Sequence, residues 1–424
     1  MRHFTLLFAL VAAFQIGMSQ NIDDPEIINW IRNTTGDLYM GDSTDVTKVY
    51  YNNNYIFIQT NCIPSYYGSL GFTSVFTPLA LDLTFRITRN PTPATTPEDV
   101  AGFVGIWNNG SYAASPGDGQ YYDPNSQGLT EWARIAWYFE GINFQGMNPT
   151  NNPYGDLDET FGHSTPNGQY HYHVYNNAMI ADVTDSSAHS GIIGFAFDGY
   201  PIYGPYGYSD PNDSTSGVTR MKSSYQFRNI SNRNLLPNGN TSVDPPPINS
   251  VYPLGCFEED YEYVLNSGDL DEHNGRTCVT PDYPNGTYAY FITLDDTLGP
   301  YYPYMLGDTY YGDVYWNGPA PTTTNIPSNV TEYTGPMVSV IDRMDTEELA
   351  VWPSPSTGPA MVRSTLSGEK VVRVIDLQGR VVFQTEMAGE TTQLQLQPLL
   401  AGVYMVEVEA LDTGIKSRER WVKQ

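Results

Sequence analysis

Toward the C-terminus, apolar positions fall in short runs broken by turn residues. Val371, Val372, Val374 and Ile375 lead into Gln378-Gly379-Arg380, and Val381-Val382-Phe383 follow. Leu394 and Leu396 alternate with Gln393, Gln395 and Gln397, and Gly402-Val403-Tyr404-Met405-Val406 and Arg420-Trp421-Val422-Lys423 complete the pattern. Period-two runs with glycine turns predict a small β-sandwich. Upstream, β-prone runs such as Tyr55-Ile56-Phe57-Ile58 and Leu81-Asp82-Leu83-Thr84-Phe85 are set among Gly, Pro, Asn and Tyr. Glu131 to Glu140 is the one helix candidate, with Trp132, Ile135, Ala136 and Phe139 at helical spacing and strand as the alternative. The expected fold class is mainly β: a large irregular β-rich domain with an internal duplication, plus the C-terminal sandwich.

The composition of the 424 residues, 40% hydrophobic and only 16% charged, excludes a coiled coil and a charge-rich disordered chain. The formal charge of −27 excludes a nucleic-acid binder, which needs a basic face. Residues 349–424 hold 8 bases and 8 acids, so the 12 bases and 39 acids of the rest carry the whole charge. Arg2 and His3, the apolar Phe4 to Phe14 and the small residues Gly17-Met18-Ser19 have the form of a secretory leader. No later stretch approaches the length of a membrane span. Pro319-Ala320-Pro321-Thr322-Thr323-Thr324 opens a linker. The expected division is a signal peptide over 1–19, an N-terminal part over 20–99, a main domain over 100–318, a linker over 319–348 and a C-terminal domain over 349–424.

Pro353-Ser354-Pro355 with Gly358, the hairpin Val374-Ile375-Asp376 to Gly379-Arg380-Val381-Val382, and Leu400-Ala401-Gly402-Val403-Tyr404 together resemble the type A sorting domain of the Bacteroidetes type IX secretion system. The resemblance implies export through that machinery by residues 349–424, to the medium or the outer cell surface. It implies nothing about the chemistry of the rest.

The main domain echoes itself. Gly155-Asp156-Leu157-Asp158-Glu159 and Gly268-Asp269-Leu270-Asp271-Glu272 are each followed by Pro-Asn-Gly, at Pro166-Asn167-Gly168 and Pro284-Asn285-Gly286. Each Pro-Asn-Gly enters a tyrosine-rich strand: Gln169-Tyr170-His171-Tyr172-His173-Val174, then Thr287-Tyr288-Ala289-Tyr290-Phe291-Ile292. The tyrosines recur, whereas His163, His171 and His173 are replaced by Arg276, Ala289 and Phe291. The shared scaffold therefore does not need histidine, and a special task in the first copy is expected.

His171 and His173, two apart on a strand, face one side at about 7 Å between Cα atoms. His163, just before the turn, can fold back beside them, and His189 can return as a further ligand. Imidazole ligands suit a transition metal, zinc or copper first, and three ligands with an open position suit catalysis. The competing reading is a hydrogen-bonded polar strand.

Tyr170-His171-Tyr172-His173 is also the motif of the YHYH domain family. Gly194 to Pro205, Asp260-Tyr261-Glu262-Tyr263, Leu270 to Arg276 and Pro303-Tyr304-Met305-Leu306-Gly307 are similar to that family as well. The family often has Cys where His273 stands, which implies that a disulfide of relatives is absent here. It implies export and no settled chemistry.

Other readings are weaker. The acidic loops offer oxygen ligands for calcium, but they miss the EF-hand register. Asp198 is either a partner orienting a ligand histidine or an Asp-Gly turn. Gly162-His163-Ser164-Thr165-Pro166 lacks the second Gly of a nucleophile elbow. Of Cys62, Cys256 and Cys278, the last two would close the shorter disulfide loop. Tyr203, Tyr206, Tyr208, Tyr301, Tyr302 and Tyr304 could form a sugar-stacking surface. The sequence thus supports a metal-binding exported protein, with catalysis open. A non-catalytic calcium- or glycan-binding surface module is the alternative.

Overall fold

The computed structural model describes residues 24–33, 38–39, 42–64, 76–131, 137–140, 162–174, 186–242, 244–296, 298–314 and 320–335. It also describes 349–423 apart from 353–355, 357–358, 367, 377–379, 397, 401 and 412–415. The expected leader and the first acidic loop, with Asp156, Asp158 and Glu159, lie outside these residues.

The protein is mainly β. Its centre is an eight-stranded sheet made of β1 (Phe103–Trp107), β2 (Tyr112–Ala114), β3 (Gly162–Ser164), β4 (Tyr170–Tyr172), β5 (Ile192–Ala196), β6 (Pro201–Tyr203), β7 (Gly275–Cys278) and β8 (Thr287–Phe291). The strand order is β3-β4-β2-β1-β5-β6-β8-β7. It is the same four-strand pattern laid down twice about the β1–β5 pair. In each half the hairpin strands are antiparallel, and the inner hairpin strand runs parallel to its neighbour, β4 with β2 and β8 with β6.

The register repeats to the residue. Gly162 faces Tyr172 and His163 faces His171, as Gly275 faces Tyr290 and Arg276 faces Ala289. β1 bulges against β2 between Phe103 and Gly105, and β5 bulges against β6 between Ile192 and Gly194. At the centre Ile106 pairs with Phe195, flanked by Gly105–Ala196 and Trp107–Gly194. The strands approach closely there: a Cβ on Gly105 would lie 2.7 Å from the Phe195 carbonyl oxygen, and one on Gly194 2.8 Å from that of Ile106. The turns repeat too, with Ser111 N donating to Asn109 Oδ1 and Tyr200 N to Asp198 Oδ1, both at 3.1 Å.

A four-stranded sheet, Thr331–Glu332, Val46–Tyr51, Tyr55–Thr60 and Leu83–Thr88, shares one core with the central sheet. Phe85 meets Tyr112 edge-on at 5.1 Å, and Trp30 meets Phe195 at 5.5 Å. The C-terminal region folds as two antiparallel sheets of three and four strands around Val362, Val372, Val374, Leu394, Val406, Val408 and Trp421. Burial of Val372 and Val374, and of Val406 and Val408, follows the period of two that the pattern predicts.

Two expectations need correction. Glu131 ends one strand (Gly128–Glu131) and Tyr138–Glu140 forms another, so both described ends of the helix candidate are extended; residues 132–136 lie outside the described ones. Trp137 and Phe139 are buried against Phe257, which explains their apolar character without a helix. The cysteines are free and buried. Cys278 belongs to the main core and Cys256 to a separate cluster with Tyr122, Trp137 and Phe257, so the shorter-loop disulfide does not form.

Candidate metal centre

The β3–β4 hairpin builds the centre. Gly168, at the tip of the Pro-Asn-Gly turn, takes φ +80°, a conformation side chains resist, and Gly286 repeats it at +95°. This turn sets His163 directly opposite His171. Tyr170 and Tyr172 go to the other face, where both are fully buried in the core. Gly162 makes room for them, since a Cβ there would lie 2.7 Å from Tyr172 Cε1.

His163, His171 and His173 are 7, 6 and 4% exposed. Nε2 of His173 lies 3.2 Å from Nε2 of His163 and 3.2 Å from Nε2 of His171. The second nitrogens of His171 and His173 are committed. His171 Nδ1 is 3.0 Å from the Gln169 carbonyl, and His173 Nδ1 is 2.6 Å from that of Ser115. A carbonyl only accepts, so each Nδ1 carries the proton and, in a neutral ring, each Nε2 presents a lone pair. Phe103 meets His171 edge-on at 5.3 Å and stacks on Tyr112, walling one side.

Two lone pairs at 3.2 Å repel unless a cation or a proton lies between them. Protonating the rings is opposed by burial. It holds His171 well below its ordinary value, with the neighbouring imidazoles adding to the effect, and brings His173 down to about 4. Three nitrogens about 2.0–2.1 Å from a tetrahedral zinc stand about 3.3–3.4 Å apart, close to the spacing here. The three can therefore hold a metal, and theirs is the one such grouping of His, Cys, Asp or Glu among the described residues.

The structure does not bring His189 to this centre. Its ring packs in the second half against Tyr208, Tyr203 and Phe291, with centroids 4.8, 5.1 and 5.9 Å away. Its Nδ1 donates to the Ser190 carbonyl. Asp198 is a turn residue of that half: it accepts from Tyr200 N, from Tyr290 Oη at 2.6 Å and from Gly312 N at 2.9 Å. Asp271 and Asp269 of the second acidic loop are likewise engaged locally, by Tyr288 Oη, His273 N and Gly275 N, and by Lys222 N. Tyr203, Tyr206, Tyr302 and Tyr304 are core residues, and only Tyr208 and Tyr301 of the expected stacking surface are partly exposed. Among the described residues the helices are one turn long or less, and tyrosine fills much of the core. What sequence reading missed is Ser115, whose carbonyl orients His173; its signal was the spacing Gly105, Gly110, Pro116 repeated as Gly194, Gly199, Pro205.

No described helix is long and apolar enough to cross a membrane. No curated protein matches the chain. Among solved structures, a DUF3244 family protein with an immunoglobulin-like β-sandwich from Bacteroides vulgatus is 13% identical at a TM-score of 0.17, over 19% of this chain and 87% of its own. PorZ, a surface component of the type IX secretion system of Porphyromonas gingivalis, is 12% identical at 0.18, over 90% of this chain and 51% of its own. Likenesses this slight carry no argument. Residues 350–424 match the secretion system C-terminal sorting domain, which marks the protein for export to the cell surface or the medium. Residues 84–305, more than half of the chain and the whole of the central sheet, match the family described as YHYH protein, and to that family the chain belongs.

Proposed function

We propose that the protein carries one transition metal ion, zinc or copper, on the Nε2 atoms of His163, His171 and His173, and that it works outside the cell with that ion. The observation that supports this most directly is the pair of Nε2 lone pairs of His171 and His173, 3.2 Å apart with their Nδ1 protons held by main-chain carbonyls. Hydrogen bonds from the second ring nitrogen to a carbonyl are what fixes metal-ligating imidazoles in place. These three imidazoles would hold the ion with three ligands and would leave it room for water or a small ligand. A water there would be acidified toward neutrality, the starting point for hydrolytic chemistry. The sorting domain would deliver this centre through the type IX machinery.

Metal content of the full chain, purified without a His tag or chelators, tests the reading against His171→Ala/His173→Ala. About one zinc or copper per chain, lost in the folded double variant, is expected. Absence of both metals from the wild type, after reloading with each, would refute it.

A further inference from the structure

The second half shows what the same scaffold does without histidine. Arg276 takes the place of His163 in the register, Ala289 that of His171, and Phe291 that of His173. These three residues fill together about the volume of three histidines, the kind of exchange a packed site tolerates. The Arg276 guanidinium carbon lies 5.5 Å from the Phe291 ring centre, and Nη2 donates to the Tyr208 carbonyl at 2.6 Å. A fixed cation thus stands over the ring that replaces a ligand. The cradle is also incompletely satisfied. Arg276 Nε is buried with no hydrogen-bond partner, and so is Nε2 of His189, whose proton sits on Nδ1 against Ser190. The carbonyls of Thr287 and Gly204 occupy the places of Gln169 and Ser115, which hold the Nδ1 protons in the first half.

We propose that the second half is a vacated copy of the metal centre, in which the guanidinium of Arg276 supplies the positive charge that an ion supplies in the first. The cradle still takes an ion once its three histidines are restored, and His189 lies beside it as a further imidazole. This rests on the metal reading of the first half. Wild-type protein accordingly binds one ion per chain, because the second half has Arg276, Ala289 and Phe291 where the first has its three imidazoles.

The test is Arg276→His/Ala289→His/Phe291→His in the full chain, alone and combined with His171→Ala/His173→Ala, with zinc and copper counted after equilibration and melting followed with and without zinc. The expected counts are two ions per chain in the triple variant and one in the combined variant. Zinc should raise the triple variant's melting temperature saturably. Arg276→Met, which keeps the bulk and removes the charge, should lower the melting temperature with no recovery by zinc at the second half. If the triple variant folds only with zinc or copper, that dependence supports the proposal. One ion in wild type and still one in the triple variant, or failure to fold with either metal, overturns it. No ion in wild type overturns the first-half reading instead, and the combined variant still reports on the second half by itself.

Discussion

Lowering the pH from 7.5 to 5.0 should weaken metal binding far less than at an ordinary histidine cluster. Imidazole must be neutral to bind, so protons compete with the metal below the ring's own pKa. An ordinary imidazole, with a pKa of about 6.5, is only about 3% neutral at pH 5, which costs about thirtyfold in affinity per ring. Two such rings cost about a thousandfold and three more than ten-thousandfold. Here burial brings His173 down to about 4, so that ring is still mostly neutral at pH 5, and it holds His171 well below its ordinary value. The sign follows directly: a lowered pKa moves proton competition to lower pH. His173 should then cost almost nothing and His171 less than an ordinary ring, so that even a full ordinary penalty on the third keeps the total loss under about a thousandfold. Zinc titrations against a chelator calibrated at pH 7.5, 6.0 and 5.0 measure it. A loss of a thousandfold or more would mean that these rings titrate as solvated groups, and the buried neutral cradle would be wrong.

Other consequences concern the scaffold. Burial raises Asp198 to about 6, so the folded state holds its proton more tightly than the unfolded state; its contribution to stability is full below about pH 4 and is lost as pH rises through 6. Asp198→Asn leaves the Gly312 N–H facing an amide NH₂, at a cost of about 1–3 kcal/mol at pH 4. That difference should narrow by up to about 3 kcal/mol by pH 7.5, read from urea melts at the two pH values. Arg233 and Asp260 form a fully buried pair with two contacts of 2.7 Å. Arg233→Met should cost about 3–5 kcal/mol in urea melts, by leaving a buried carboxylate without its cation. Gly105→Ala and Gly194→Ala should each cost roughly 1–3 kcal/mol, and about equally, because each Cβ meets the other strand's carbonyl across the same pseudo-axis. A large inequality in their melting temperatures would argue against the repeated geometry.

Much of this fold is legible where burial acts on one face at a time. Val372 and Val374 alternate with Arg373 because one side of their sheet is core and the other carries the ion pairs of Arg373 with Glu407 and Glu409. The Glu131–Glu140 stretch misleads because a short apolar run fits both periods, and what buries Trp137 and Phe139 is Phe257, far away in the chain. The duplication is legible in the hairpins, where the turn and the tyrosine packing hold Pro, Asn, Gly and Tyr in place. It fades in the inner strands. There only the close approach at Gly105 and Gly194, the turns at Gly110 and Gly199, and Pro116 and Pro205 are retained, while Asn108 and Phe197 or Ala113 and Ile202 answer to different neighbours.

The same distinction explains which histidines could be placed. His171 and His173 share a face by strand period alone, and His163 is tied to them by a turn whose length sets the register. No local rule carries His189 anywhere, because a long connection separates it from the hairpin. The repeat supplies the missing rule: His189 precedes β5 by three residues, and β5 opens the second half. It therefore packs beside Phe291, the counterpart of His173, and not beside His173 itself. Nearness in sequence groups the four histidines, but membership of a half decides which of them meet. For that reason three imidazoles meet at the candidate centre and not four.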